Sequence, residues 1–218
     1  MQLLATIIPS IILVYIFYTF DKFPEPKKYI IITFILGILI AIPAGFLNVY
    51  LSEYLANNME NTSSSFYFLN TLIVGPVTEE LIKYSVLVFY CLRLSAFDEP
   101  MDGLVYGSTA ALGFAMIENF GYVYDASYFD TTWQDLAWQR AFLTIPLHGC
   151  AGVILGFFLS YYHFYKKQIF FYLGPLIAIL IHFLYNLGFY EIMVIISLII
   201  IFFMFRHLRK KQDSLQLK

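Results

Sequence analysis

The stretch GPVTEELIKYSVLVFY, residues 75–90, puts Glu79, Glu80 and Lys83 inside an otherwise apolar run. Similar groups recur as Glu118 in LGFAMIEN, His148 in PLHG and His182 in HFLYN. Ionisable side chains are expensive in hydrocarbon, so they face a bundle interior or a water-filled cavity. A carboxylate beside a water is a general base, and histidines and amides can hydrogen-bond a developing oxyanion. Two histidines with one or two glutamates can instead hold a metal, leaving one position for water. The HExxH pattern of zinc peptidases is absent, and no spacing singles out a serine or cysteine nucleophile. The same inventory suits a proton relay in a transporter.

Each group also has a structural use. Lys83 is i+4 from Glu79 and i+3 from Glu80, so one carboxylate is expected to pair with it and leave the other free. Glu118 and Asn119 can serve as hydrogen-bonding glue between helices. His182 and Asn186, four apart, share a helix face. Tyr106, Tyr122 and Tyr185 read as packing residues, and Cys91 and Cys150, in separate spans, as buried thiols rather than a disulfide.

The elements that must carry these groups are membrane spans. Of 218 residues, 60% are hydrophobic, 20% aromatic and only 13% charged, against about 25% charged in soluble domains. Mean hydropathy is +0.73. The net charge of −2 gives no reason to expect nucleic acid. The opening MQLLATIIPSIIL has no basic residue before its apolar run, unlike a cleavable signal peptide, and reads as a first span. Apolar runs predict seven helices near 3–20, 29–51, 66–92, 103–124, 140–165, 169–189 and 191–206, with polar connections at 61–65 and 125–139. The expected fold is an all-α, polytopic bundle forming one membrane-embedded domain over 1–218.

Basic residues set the orientation. Eleven of thirteen, including Lys22, Lys27, Lys28, Arg93, Lys166 and Lys218, fall at alternate ends, which places the N-terminus outside and the C-terminus in the cytoplasm. Glu118, His148 and His182 then lie roughly 10–14 Å below the outer end, at 1.5 Å per residue. Gly75-Pro76 predicts a fresh helix start that brings Glu79 and Glu80 into the same layer, where the helix dipole favours carboxylate. Gly103/Gly107 and Gly152/Gly156 mark close helix packing.

The ordered segments EELIK (79–83), FDEPMDGLVYG (97–107), LGFAMIEN (112–119), PLHG (146–149) and HFLYN (182–186) resemble the motif series of the PrsW intramembrane proteases. These are relatives of the CAAX prenyl endopeptidases and bacteriocin-processing enzymes. The resemblance covers about residues 75 to 190. Glu118 stands where prenyl endopeptidases carry histidine, and Asn186 where the family tends to aspartate. The resemblance implies a peptidase in a bacterial plasma membrane. Its substrate would be a single-pass protein, an anti-sigma factor, cut first near the extracytoplasmic face. Glu80 is then the expected base, with Glu79 orienting or pairing with Lys83, an order that can be reversed. His148 and His182, helped by Asn186, would stabilise the oxyanion, and Glu118 and Asn119 would position a histidine or the water. No metal is expected to be required, because the Glu-Glu/Lys arrangement needs no ion to hold a charged base; a divalent metal such as zinc is the alternative. Asp98, Glu99 and Asp102 are expected to cap the fourth helix. The rival reading is a proton-coupled transporter using the Glu/His layer.

Overall fold

Hydrocarbon offers no partner for backbone N–H and C=O groups, so apolar runs of this length must close their hydrogen bonds internally, as helices. The computed structural model describes residues 1–215, and over that range every regular element is helical. In chain order they are α1 (Gln2–Thr19), α2 (Lys27–Asn58), α3 (Ser64–Leu72), α4 (Thr78–Phe89), α5 (Pro100–Tyr124), α6 (Trp133–Gln139), α7 (Ile145–Tyr165), α8 (Ile169–Asn186) and α9 (Tyr190–Leu215). They build the seven expected crossings: α3 and α4 form one broken crossing, while α6 runs into α7 through a single wide turn, Arg140–Thr144. The expected division after residue 189 falls at a turn closed by Gly188, with φ +102°. Lys218, counted among the basic residues, lies outside the described residues.

Three boundaries differ from expectation. α2 continues to Asn58 and α9 to Leu215, so polar and basic residues read as flanks extend the helices beyond their apolar parts. The connection 125–139 is partly helical, because Thr132 caps α6 by accepting from the Asp135 N–H at 3.1 Å.

Five segments are long and apolar enough to cross a membrane: α1, α2, the continuous α6–α7, α8 and α9. α5 is different because its neighbours, not lipid, surround it. Met101 to Ala115 is buried throughout, which permits its glycines, serine and threonine. α7 crosses it closely: a Cβ on Gly107 would strike the Gly152 carbonyl, and one on Gly156 the Gly103 carbonyl. Helices in lipid gain contact energy this way, since no hydrophobic drive pulls them together. α2 meets α5 at Gly37 and Gly113 in the same manner, then diverges: Gly45 and Gly121 have nothing within 4 Å of where a Cβ would sit. Cys91 and Cys150 are buried free thiols, as expected.

The break between α3 and α4 lies at Gly75, as the Gly-Pro pair predicts. Gly75 has φ +99°, a region that disfavours any residue with a Cβ, and Val74 has ψ 109°. At the start of α5, Asp102 accepts from the N–H groups of Asp98 (2.8 Å) and Glu99 (2.7 Å), which is the expected cap.

Gly156→Leu should separate α5 from α7 and cost about 3 kcal/mol or more of stability, read as a fall in thermal unfolding temperature in detergent. Gly121→Ala should leave that temperature near wild type.

Candidate active site

The break at Gly75 lets α4 begin inside the bundle with a carboxylate pair in its first turn. Irregular backbone at this depth is tolerated where protein buries it or a cavity abuts it. Asn48 of α2 secures the bend: its Oδ1 accepts from the Gly75 N–H (3.2 Å) and from the Thr78 hydroxyl. Its Nδ2 donates to Glu79 Oε1 at 3.1 Å. From the other side, Asn186 lies against Gly75, with Nδ2 3.3 Å from the place of a Cβ there.

All six ionisable groups marked in the sequence converge here, from α4, α5, α7 and α8. Lys83 is their hub. Its ammonium donates to Glu80 Oε1 (2.8 Å) and His148 Nδ1 (2.7 Å), and it lies 3.5 Å from Glu79 Oε2 and 4.3 Å from the centre of the Phe114 ring. His182 Nδ1 donates to the same Glu80 oxygen at 2.8 Å, which leaves Nε2 as that ring's lone-pair atom. Because Lys83 is a donor only, His148 accepts at Nδ1 and carries its proton on Nε2. That nitrogen is 2.8 Å from Glu118 Oε2, an ion-pair contact off the line of a hydrogen bond. Arg140, in the wide turn before α7, holds Glu118 at 3.2 Å and the Asn119 side-chain carbonyl, and stacks over Tyr122 at 3.8 Å.

The two glutamates are not equivalent. Glu80 is fully enclosed and contacts both Lys83 and His182, while Glu79 is further from Lys83 and borders a cavity of about 860 Å³. That cavity runs between α2 and α5 where they diverge, past Gly45, Asn48, Phe114, Glu118 and Gly121. It is the space through which water and a peptide could reach the carboxylates.

The sequence does not single out Asn48 or Thr78, and it marks Arg140 only as a basic residue near the acidic loops. The available signal is polarity in apolar surroundings: Asn48 and Thr78 fall inside predicted spans, and Arg140 opens one. Of the three tyrosines read as packing, Tyr185 exchanges a hydrogen bond with Thr144 (2.8 Å) and Tyr106 donates to Glu25.

The profile described as "PrsW family intramembrane metalloprotease" matches residues 25–208. The chain belongs to that family. Curated relatives named "Protease PrsW" agree. That of Bacillus subtilis (strain 168) is 32% identical over 157 residues, covering 72% of this chain and 66% of the relative. That of Oceanobacillus iheyensis is 32% identical over 186 residues, covering 84% and 80%. That of Clostridioides difficile (strain 630) is 29% identical over 188 residues, covering 82% and 75%. No solved structure matches the chain. PrsW membership makes this a peptidase-class, multi-pass membrane protein and sets the transporter reading aside.

Membership also overturns the expectation that no metal is required, since the family is one of metalloproteases. The site fits an ion on its own chemistry. Glu79, Glu80, His148 and His182 each bring a ligand atom within 4.8 Å of the others, all from buried side chains. Glu80 Oε2 has no hydrogen-bond partner among the described residues. A positive group, the Lys83 ammonium, already stands among these donors. Spacing alone makes the lysine the carboxylates' permanent partner, whereas an internal cation can equally mark a cation's place.

Two positive groups cannot share that place without strong repulsion; a unit charge pair at about 4 Å is worth roughly 4 kcal/mol at an effective dielectric of 20. Lys83→Met should therefore tighten zinc binding by about tenfold or more, measured by competition with a fluorescent chelator. Unchanged or weaker binding would show that the ammonium does not compete.

Proposed function

We propose that this PrsW-family chain hydrolyses a peptide bond of a single-pass membrane protein, at or just inside the membrane end bearing the acidic loops. The observation that carries the reading is the asymmetric glutamate pair: one carboxylate locked among cations and histidines, the other beside an open cavity. We take the acidic-loop end as extracytoplasmic, from the basic residues gathered at the opposite end. The N-terminus is then outside and the C-terminus in the cytoplasm of a bacterial cell. An anti-sigma factor cut first on its outer side fits this placement, as does a single catalytic unit spanning the whole bundle.

His148, His182 and Glu80 are the residues that would hold the metal. Bound there, a zinc-type ion supplies Lewis-acid polarisation of the scissile carbonyl and acidifies the attacking water. Glu79, held by Asn48 and facing the cavity, takes the proton from that water as its oxygen bonds to the carbonyl carbon. As the C–N bond breaks, Glu79 returns the proton to the departing amine. This reverses the order first expected for the pair, because Glu80 has no free approach. Lys83, a donor only, puts the lone pair of His148 on Nδ1 and its proton on Nε2, and the Glu118 carboxylate 2.8 Å from Nε2 favours that tautomer electrostatically. Arg140 fixes Glu118 in turn. Asn186, beside the Gly75 bend, offers an amide donor to the substrate carbonyl or backbone. The substrate's helix has to unwind to expose its peptide group, and the divergence of α2 from α5 gives the extended segment room.

The test is cleavage of a purified single-pass substrate by the purified chain, with mass spectrometry of the new termini. Glu79→Gln should lower turnover by about 10²–10⁴-fold while metal content stays near one per chain. Glu80→Gln should lose both. Full turnover in both variants at equal abundance overturns the mechanism, and a cut on the basic-loop side of the substrate overturns the placement.

A further inference from the structure

At the opposite end of α5 from Glu118 lies a second gathering of acids. Asp21 and Glu25 come from the connection between α1 and α2, Glu99 caps α5, and Asp102 sits in its first turn. Asp21, Glu25 and Asp102 are at most 5% exposed. Asp21, Glu99 and Asp102 each place a carboxylate oxygen within 4.8 Å of the other two. Glu25 stands next to Asp102, beside that triad. Like charges this close repel unless something positive lies between them.

The hydrogen bonds around the group hold it from outside. Gln212 of α9 donates from Nε2 to Asp21 Oδ1 (2.7 Å) and to Glu99. The Phe23 N–H donates to Asp21 Oδ1 at 2.9 Å, and Tyr106 donates to Glu25 Oε2. Capping uses Asp102 Oδ2 alone. That leaves Asp21 Oδ2, Asp102 Oδ1 and the Gln212 amide oxygen buried without a hydrogen-bond partner among the described residues. Three such oxygens, from three separate elements, are what an oxygen-coordinated cation would take up. The Gln212 oxygen carries no formal charge, so its lack of a partner is not a product of acid crowding. Lys22 pairs with Asp213, and the Arg209 guanidinium donates to the Phe20 carbonyl at 2.8 Å while its charge acts on Asp21.

We propose that Asp21, Glu99 and Asp102, with the Gln212 amide oxygen and Glu25 beside them, form a second metal site for a hard divalent cation, calcium or magnesium. All its donors are oxygens, the preference of those ions, and it lacks the histidines that suit zinc at the first site. The cation ties the α1–α2 connection and the end of α9 to the start of α5, the helix whose other end carries Glu118.

The probe is terbium(III), an oxygen-seeking ion whose luminescence is excited through a nearby phenol, here Tyr106. Purified full-length chain in detergent, stripped with chelator and dialysed, would be titrated with terbium as wild type and as His182→Ala, which disables the first site. Both should show the same saturable tyrosine-excited luminescence, displaced by calcium or magnesium; the ion acting at lower concentration names the occupant. Asp21→Asn and Glu99→Gln, each in the His182→Ala background, should weaken terbium binding by about tenfold or more. Absence of saturable luminescence in wild type, or an unchanged titration in both acid variants, overturns the proposal. Because His182→Ala already removes the first site, this result is independent of whether the proteolytic reading stands.

Discussion

A charge inside an apolar bundle has to be matched within a few ångströms, and the architecture follows from meeting that requirement at Lys83. An isolated ammonium or carboxylate at this depth would cost several kcal/mol after relaxation. Lys83 is 1% exposed yet touches Glu80, His148 and Glu79, which come from two helices in three orientations. For these contacts to exist, α4 has to start within the bundle instead of crossing it unbroken. That is why the chain bends at Gly75 and why Asn48 and Thr78 satisfy the backbone freed by the bend. Breaking one member of such a group leaves another charge bare, so the set behaves as a unit.

The remaining helices bring the other partners within reach of this hub. α5 and α7 approach at glycines, which places Glu118 and His148 in contact at 2.8 Å. With bulkier residues at Gly103 and Gly156 the axes would stand further apart, and that contact would lengthen. The close crossing thus has a chemical consequence as well as a packing one. α8 delivers His182 and Asn186 one turn apart to the same place. Only α2 retreats from α5, past Gly37, and the divergence opens the cavity beside Glu79. The site is closed around Glu80 and borders that cavity at Glu79.

Much of this was legible in the sequence because hydrocarbon is so restrictive a solvent. Ionisable residues in apolar runs are few, so Glu79, Glu80, Lys83, Glu118, His148 and His182 stood out, and the structure brings all six together. The seven crossings were equally readable, and Gly75-Pro76 located the break. Less visible were residues whose role depends on which neighbour they meet. Asn48 and Arg140 sit at span margins, where amides and cations are common, and only the tertiary arrangement turns them toward Glu79 and Glu118. Spacing along α4 allowed Lys83 to reach either glutamate, so it could not say that Glu80 would be nearer. The need for a metal was missed for a related reason: sequence lists donors but not whether a resident cation is a partner or a placeholder.

α5 carries acids at both ends, and its buried middle is too finely packed to bend. Asp102 at its start and Glu118 near its finish each take part in a cluster drawn from other elements: the α1–α2 connection and α9 at one end, α4, α7 and α8 at the other. A rigid, glycine-lined rod joining two charged clusters passes displacement along its axis, since close-packed interiors shift between discrete arrangements more readily than they deform. Loosening the Asp21–Glu99–Asp102 group would free the start of α5 from α9. The α5–α7 crossing would still fix its middle at Gly107 and Gly152, so any movement reaching Glu118 would have to carry α7 and His148 along. His148 therefore stays in register with Glu118, because the crossing at Gly107 and Gly152 moves α7 with α5.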